Sequence, residues 1–268
     1  MTTLAPDARA LGWEDEATAR YFEAFFGRHS RYSAANQALV ERAALRPGLR
    51  ILDLGAGIGG TAEAALPRIG EAGRIVCVEP SPAMRALGRR RLHDRRVEWR
   101  SAWPNARASF DRVLCGAGIW QMLPLGHIFA RIAGLLAPGG ALVFDVPGLY
   151  LGQPDAPGGG GDPLLLELPA ILARNAPPPA PAEHCPLPDV AGIEHLLVEA
   201  GFRPDRWGFA LRFSQAAYRD WLKIPLMTNR LLPGLGADER AARIDAAFAL
   251  VDPRSWRWEA WLGWTAWR

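Results

Sequence analysis

The chain is short of cysteine, nearly devoid of lysine, and lacks a long apolar run. Its three cysteines, Cys77, Cys115 and Cys185, are an odd number with no CxxC spacing. That excludes a disulfide framework or a zinc ribbon and points to a reducing, cytoplasmic location. No uninterrupted apolar stretch reaches the roughly 18 residues of a membrane helix. The opening residues, MTTLAPDARALGWEDE, are acidic and proline-bearing, so neither a membrane span nor a signal peptide is expected. Lys223 is the only lysine, so every other one of the 31 basic residues is arginine. The net charge is only +3, and a bias toward Arg, Ala, Gly and Pro explains the arginines better than a nucleic-acid footprint. The densest cluster, Arg85, Arg89, Arg90, Arg91, Arg95, Arg96 and Arg100, is diluted by Asp94 and Glu98 and reads as a solvated helix face.

What is present is ordinary for a globular protein: 268 residues, 49% apolar and 22% charged. Wholesale disorder is thereby excluded. The length suits one large domain or a domain with an appended cap, and such a chain needs neither disulfides nor metal to fold. Residues 14–45 read as helices, with Ala17, Tyr21, Ala24 and Phe25 at helical spacing and Ser33 expected to cap a second helix through Leu45. After Arg46-Pro47-Gly48, strand-like runs at 50–54, 74–79, 97–101, 110–115 and 141–146 alternate with helical stretches at 61–66, 82–92 and 126–136. The last of these helices is expected to close at Ala137-Pro138-Gly139-Gly140. Short apolar strands separated by helices imply a parallel sheet covered on both faces.

Regularity breaks after Pro147. Residues 150–190 contain Gly158–Gly161 as four consecutive glycines and a triple proline at 177–179; so long an irregular stretch reads as a lid, a binding loop or a disordered linker. A helix near 193–200, a strand near 206–211, further helices over 214–250 broken at Leu232-Pro233-Gly234, and a final strand at 256–267 complete the chain. The expected division is a helical cap at 1–45 and a core at 46–268 carrying inserts at 150–190 and 212–250.

The informative segment is ILDLGAGIGG at 51–60. Glycines suit a sharp strand-to-helix turn that a ligand approaches closely. Gly55, Gly57 and Gly60 satisfy GxGxxG while Gly55, Gly57 and Gly59 satisfy GxGxG, so the pattern alone admits NAD, FAD or a nucleoside ligand. Asp53 favours the last. A carboxylate two residues before the first glycine repels a pyrophosphate and attracts a ligand with a cationic amino-acid end, such as S-adenosylmethionine. Glu79, at the next strand end and twenty residues beyond Gly59, is placed to accept both ribose hydroxyls.

Four segments, 51–59, 76–83 (VCVEPSPA), 110–114 (FDRVL) and 135–144 (LLAPGGALVF), resemble in order and spacing the motifs of class I S-adenosylmethionine-dependent methyltransferases. The small-molecule group that includes quinone-biosynthesis and natural-product enzymes is the most similar. The resemblance spans residues 46–147 and implies an α/β, Rossmann-like, doubly wound sheet of seven strands, mostly parallel with an antiparallel last strand, plus helical cap elements. It further implies that Asp53, Gly55 and Gly57 hold the methionine end, Glu79 the ribose, and Pro80 and Ser81 the adenine wall. The family's acid after the third strand is missing here; Ser101, Ala102 and Trp103 stand in its place. Cys115 and Gly116 are expected under the methionine moiety.

Methyl transfer from a sulfonium is an in-line displacement, governed by alignment and dehydration of the reactants. Aromatic faces suit the cation, with Tyr32 the expected contact on the amino-terminal helices and Tyr21 beside the acceptor. Trp120 and Gln121, after the fourth strand, are further acceptor contacts. If a general base assists, His29 and His127 are the candidates; no metal is expected. Monomer and homodimer both remain open, as do three other readings: an RNA methyltransferase, an NAD(P)-dependent oxidoreductase, and a non-catalytic cofactor-binding subunit.

Overall fold

A computed structural model describes residues 12–105, 109–153, 187–229 and 231–268, together with Leu168 and Leu172. Its strands are β1 (Arg50–Leu54), β2 (Arg74–Val78), β3 (Val97–Arg100), β4 (Phe110–Cys115), β5 (Leu136–Pro147), β6 (Arg203–Ser214) and β7 (Trp256–Trp267). Its helices are α1 (Glu16–Arg28), α2 (Arg31–Arg42), α3 (Gly60–Ala65), α4 (Pro82–Arg91), α5 (Leu125–Leu135), α6 (Val190–Glu199), α7 (Gln215–Leu222), the single turn α8 (Pro225–Thr228) and α9 (Ala237–Phe248).

The seven strands form one sheet in the order β3-β2-β1-β4-β5-β7-β6. β1 to β5 pair in parallel, and β7 runs antiparallel to both β5 and β6. The antiparallel last strand is as expected; the chain inserts it between two earlier strands. Apolar residues cover both faces of the sheet, as a parallel core requires. Ile128, Phe129 and Ile132 of α5 and Ile193 and Leu197 of α6 pack with Val113, Leu142 and Phe144. On the other face Leu39 and Val40 of α2 and Ala62 and Ala65 of α3 pack with Ile51, Leu114 and Val143. A third cluster joins Phe22 and Phe25 of α1 to Phe213, Tyr218, Ile244 and Phe248, so the amino-terminal helices meet those that follow β6. No helix among the described residues is long and apolar enough to cross a membrane. Most of the irregular stretch at 150–190 lies outside the described residues.

Two local expectations are corrected. Ser33 does not cap the second helix: the chain is already extended at His29, α2 starts at Arg31, and the Ser33 hydroxyl donates back to the Ser30 carbonyl at 3.0 Å. The Ala137-Pro138-Gly139-Gly140 run belongs to β5, where it takes up a register shift against β4 between Phe110 and Arg112. Gly263 in β7 shows how closely the antiparallel pair is built. A Cβ there would stand 2.3 Å from Cζ2 of Trp207, an indole that is buried and donates to Thr265 Oγ1 at 3.3 Å. Gly263→Ala is expected to destabilise the fold by at least about 1–3 kcal/mol through overpacking. An unchanged urea midpoint would show that the ring has room to give.

Candidate functional site

Strand order reverses between β1 and β4, and the carboxyl ends of strands at such a switch point leave a crevice for ligands. A cleft of about 1110 Å³, its open mouth included, lies there. β1 runs into it through Gly55 and Gly57, whose φ angles are +66° and +55°, a region strained for other residues. A Cβ on Gly55 would also stand 3.0 Å from the Met122 methyl. Gly55, Gly57, Glu79, Pro80, Ser101, Trp103, Gly116, Trp120, Gln121 and Tyr32 all line the cleft, so the expected residues from five separate segments converge.

Glu79 organises the floor. Its Oε2 accepts from the Gly57 N–H and its Oε1 from the Ser81 N–H, each at 2.8 Å. One carboxylate thus ties the glycine turn to the turn after β2. Each oxygen keeps a lone pair, and the side chain lies on the cleft wall. Burial raises its pKa above the ordinary glutamate value, against the Ser81 and Gly57 hydrogen bonds and the Arg85 charge.

Several expected residues stand elsewhere. Asp53 is fully buried and turns to the start of α3, where Oδ2 accepts from the Ala62 N–H at 3.1 Å; it does not line the cleft. Ser81 caps α4 by accepting from the Met84 N–H at 3.2 Å, and donates to the Trp13 carbonyl at 2.7 Å. Cys115 is buried behind Gly118, and its thiol pKa is pushed up by burial and then by Asp53 and Asp145. Ala102 is exposed beside the cleft without lining it. Tyr21 donates to Asp238 at 3.0 Å on the outer face of α1. His29 bonds Asp220 at 2.9 Å and His127 is exposed on α5. Neither histidine lines the cleft.

The walls contain further residues: Phe26, whose helical spacing reads as core packing, and several that sequence reading did not single out. Phe22 and Phe26 of α1 form an aromatic side with Tyr32, whose ring lies 5.2 Å from that of Phe22. Trp13 Nε1 donates to Gln121 Oε1 at 2.6 Å, closing the chain before α1 over the loop after β4. Asn36 accepts from the Thr61 hydroxyl at 3.0 Å, and a Cβ on Gly116 would fall within 2.8 Å of both side chains. Met84, Met122 and Met227 fill the remaining apolar gaps. Trp103 lies beneath the Arg131 guanidinium, 4.4 Å from its ring centre.

Asp145, at the end of β5, is fully buried and holds the loop after β4 through the Ala117 N–H at 2.6 Å. Burial lifts Asp53 and Asp145 from 3.8 to about 7. A raised carboxyl pKa means that the folded state keeps a proton the unfolded chain releases. That contribution is fully present below about pH 4 and is lost as pH rises through about 7. Asp145→Asn, which can still accept from Ala117, is expected to lose less stability between pH 5 and pH 8 than the parent. Parallel urea curves for the two proteins across that range would contradict the assignment.

A family model described as a methyltransferase domain matches residues 27–206. The chain is similar to the ubiquinone/menaquinone biosynthesis C-methyltransferase UbiE of Bordetella parapertussis, at 28% identity over 148 residues, covering 48% of this chain and 57% of that one. It is 31% identical over 112 residues to the UbiE protein of Coxiella burnetii, covering 39% and 45%. The chain therefore spans about half the length of the curated relatives it matches. Among solved structures it is similar in fold to the [4+2]-cyclase SpnF (TM-score 0.60, 17% identity, 98% and 97% of the two chains). The YcgJ protein of Bacillus subtilis has a TM-score of 0.56 at 15% identity, over 88% and 98%. At these identities the likeness is one of fold. With its family model extending over more than half of the residues and the motif glycines gathered at the switch point, the chain belongs to the methyltransferase-domain family.

Proposed function

We propose that the protein is an S-adenosylmethionine-dependent methyltransferase that acts on a small molecule in the cytoplasm. The observation that carries this reading is the Glu79 carboxylate, which faces the cleft while anchored by the Gly57 and Ser81 N–H groups. An acceptor-only group so held suits a pair of ribose hydroxyls and opposes a pyrophosphate. The glycine turn leaves room for the methionine end beside it. Pro80, Ser101 and Trp103 supply a flat wall for the adenine, and the hydroxyl and ring there take the place of the family's missing acid.

When bound, S-adenosylmethionine supplies an electrophilic methyl group on a sulfonium. The chain's own residues orient, enclose and dehydrate. Phe22, Phe26, Tyr32 and Trp120 present aromatic faces to the cleft, which suits a cation and excludes water. Among the described lining residues Glu79 carries the only carboxylate and Tyr32 the only phenol. With no imidazole on the wall, the reading rests the rate on alignment rather than on a strong base. Helices α1 and α2 and the segment after β6 close over the cleft and limit the acceptor to a small, partly apolar or aromatic molecule.

Calorimetry with S-adenosylhomocysteine and with NAD tests the reading, followed by labelled-methyl transfer to pools of small metabolites and to bulk RNA. Binding of S-adenosylhomocysteine but not NAD, with label in small molecules, supports it. NAD binding, or label confined to RNA, overturns it.

A further inference from the structure

With Asp53 turned inward, its second carboxylate oxygen also buried, the methionine end of the cofactor needs another holder. That end is a zwitterion whose carboxylate calls for hydrogen-bond donors. No described residue lining the cleft carries a cation. A carboxylate here must therefore be met by neutral N–H or O–H groups.

Asn36 of α2 presents such a group. It lines the cleft yet is only 7% exposed. Its Oδ1 accepts from the Thr61 hydroxyl at 3.0 Å, which fixes the plane of the amide. A Cβ on Gly60 would stand 2.6 Å from Asn36 Nδ2, and one on Gly116 would stand 2.8 Å from Oδ1. The amide is thus wedged between two glycine backbones, one closing the turn after β1 and one leaving β4. Gly116 is the residue expected beneath the methionine moiety. Asn36 Nδ2 carries two N–H donors, and neither has an acceptor among the described residues. Donors left unpaired in so dry a place are costly. Their position on the cleft wall gives that cost a purpose.

We propose that Asn36 holds the carboxylate of the cofactor's methionine end, donating from Nδ2 with no cation beside it. The assignment rests on the methyltransferase reading of the cleft. Calorimetry on the whole chain tests it with two ligands: S-adenosylhomocysteine and its decarboxylated analogue, 5′-(3-aminopropylthio)-5′-deoxyadenosine. Asn36→Ala is expected to weaken S-adenosylhomocysteine about 10-fold, the size of a hydrogen bond to a charged group, and to leave the analogue unchanged. Asn36→Asp keeps an oxygen for the Thr61 hydroxyl but opposes one carboxylate with another. It is expected to weaken S-adenosylhomocysteine further while the analogue binds at least as well as before. Retained affinity for the analogue also shows that both variants are folded. Full S-adenosylhomocysteine affinity in Asn36→Ala, or equal loss of both ligands in both variants, overturns the assignment. So does tighter binding of S-adenosylhomocysteine by Asn36→Asp, which would place the amide oxygen against the ammonium instead. Each of these results leaves the methyltransferase reading standing. Failure of the unmodified chain to bind S-adenosylhomocysteine removes both.

Discussion

Replacing Arg31 by methionine is expected to cost about 3–5 kcal/mol of folding stability, because it strands a carboxylate that cannot reach water. The Arg31 and Glu259 side chains are 3% and 2% exposed. Burial disfavours both charges, yet the pair overrides it. Arg31 and Trp261 hold Glu259 below the ordinary glutamate value, and Glu259 holds Arg31 above the ordinary arginine value. Four rings, those of Tyr32, Trp261, Phe213 and Trp221, lie within 5.4 Å of the guanidinium, so its loss also empties an aromatic cage. Adding Glu259→Gln to Arg31→Met is expected to recover a large part of the deficit, since a neutral amide tolerates the site. The sign with pH follows from the depressed Glu259 value. The pair's contribution is fully present above about pH 4.5, the ordinary value, and is lost as pH falls below it. The deficit of the single variant should accordingly shrink in acid. Urea unfolding at pH 7 and pH 4 decides the matter; a loss below about 1 kcal/mol at pH 7 would mean the pair is solvated after all.

Glu79→Ala is expected to weaken binding of S-adenosylhomocysteine about 5- to 150-fold, equivalent to about 1–3 kcal/mol for a charge-assisted contact. Two causes add. In the proposed binding mode the ribose hydroxyls lose their acceptor, and the Gly57 and Ser81 N–H groups lose the partners that fix the glycine turn against the β2 turn. Glu79→Gln separates them: the amide oxygen serves one N–H, while its NH₂ confronts the other, so affinity falls without any change in side-chain volume. Calorimetry on both variants gives the answer directly. Wild-type affinity in Glu79→Ala would dismiss this residue as the anchor of the cleft.

The parallel half of the fold is legible because its information is local. Apolar runs bounded by glycine and proline place β1 and β4 to the residue, and the glycine turn after β1 announces the cleft. The Trp256–Trp267 strand is equally plain from its five tryptophans. Pairing across distance is not written in any local pattern. Arg31 and Glu259 are 228 residues apart, and nothing in either neighbourhood marks them as partners. Trp13, Asn36 and Met227 reach the cleft only because α1, α2 and α8 fold across it. Asp53 fails for a different reason. Its place at a strand end is correct, but a two-residue offset before the turn lets it satisfy the Ala62 N–H inside the protein, and sequence spacing does not reveal which way a strand-end side chain turns.

The insertion of β7 between β5 and β6 has a kinetic consequence. Among the described residues β6 pairs along all twelve of its residues with β7 alone, and β5 keeps one side open until the same strand arrives. During synthesis Arg203–Ser214 is therefore made long before this partner, leaving two unpaired edges on a growing chain. Such edges invite pairing with other chains. Closure then depends on contacts far apart in sequence, which form slowly. The tryptophans that finish the sheet are also what must be kept from finding the wrong one.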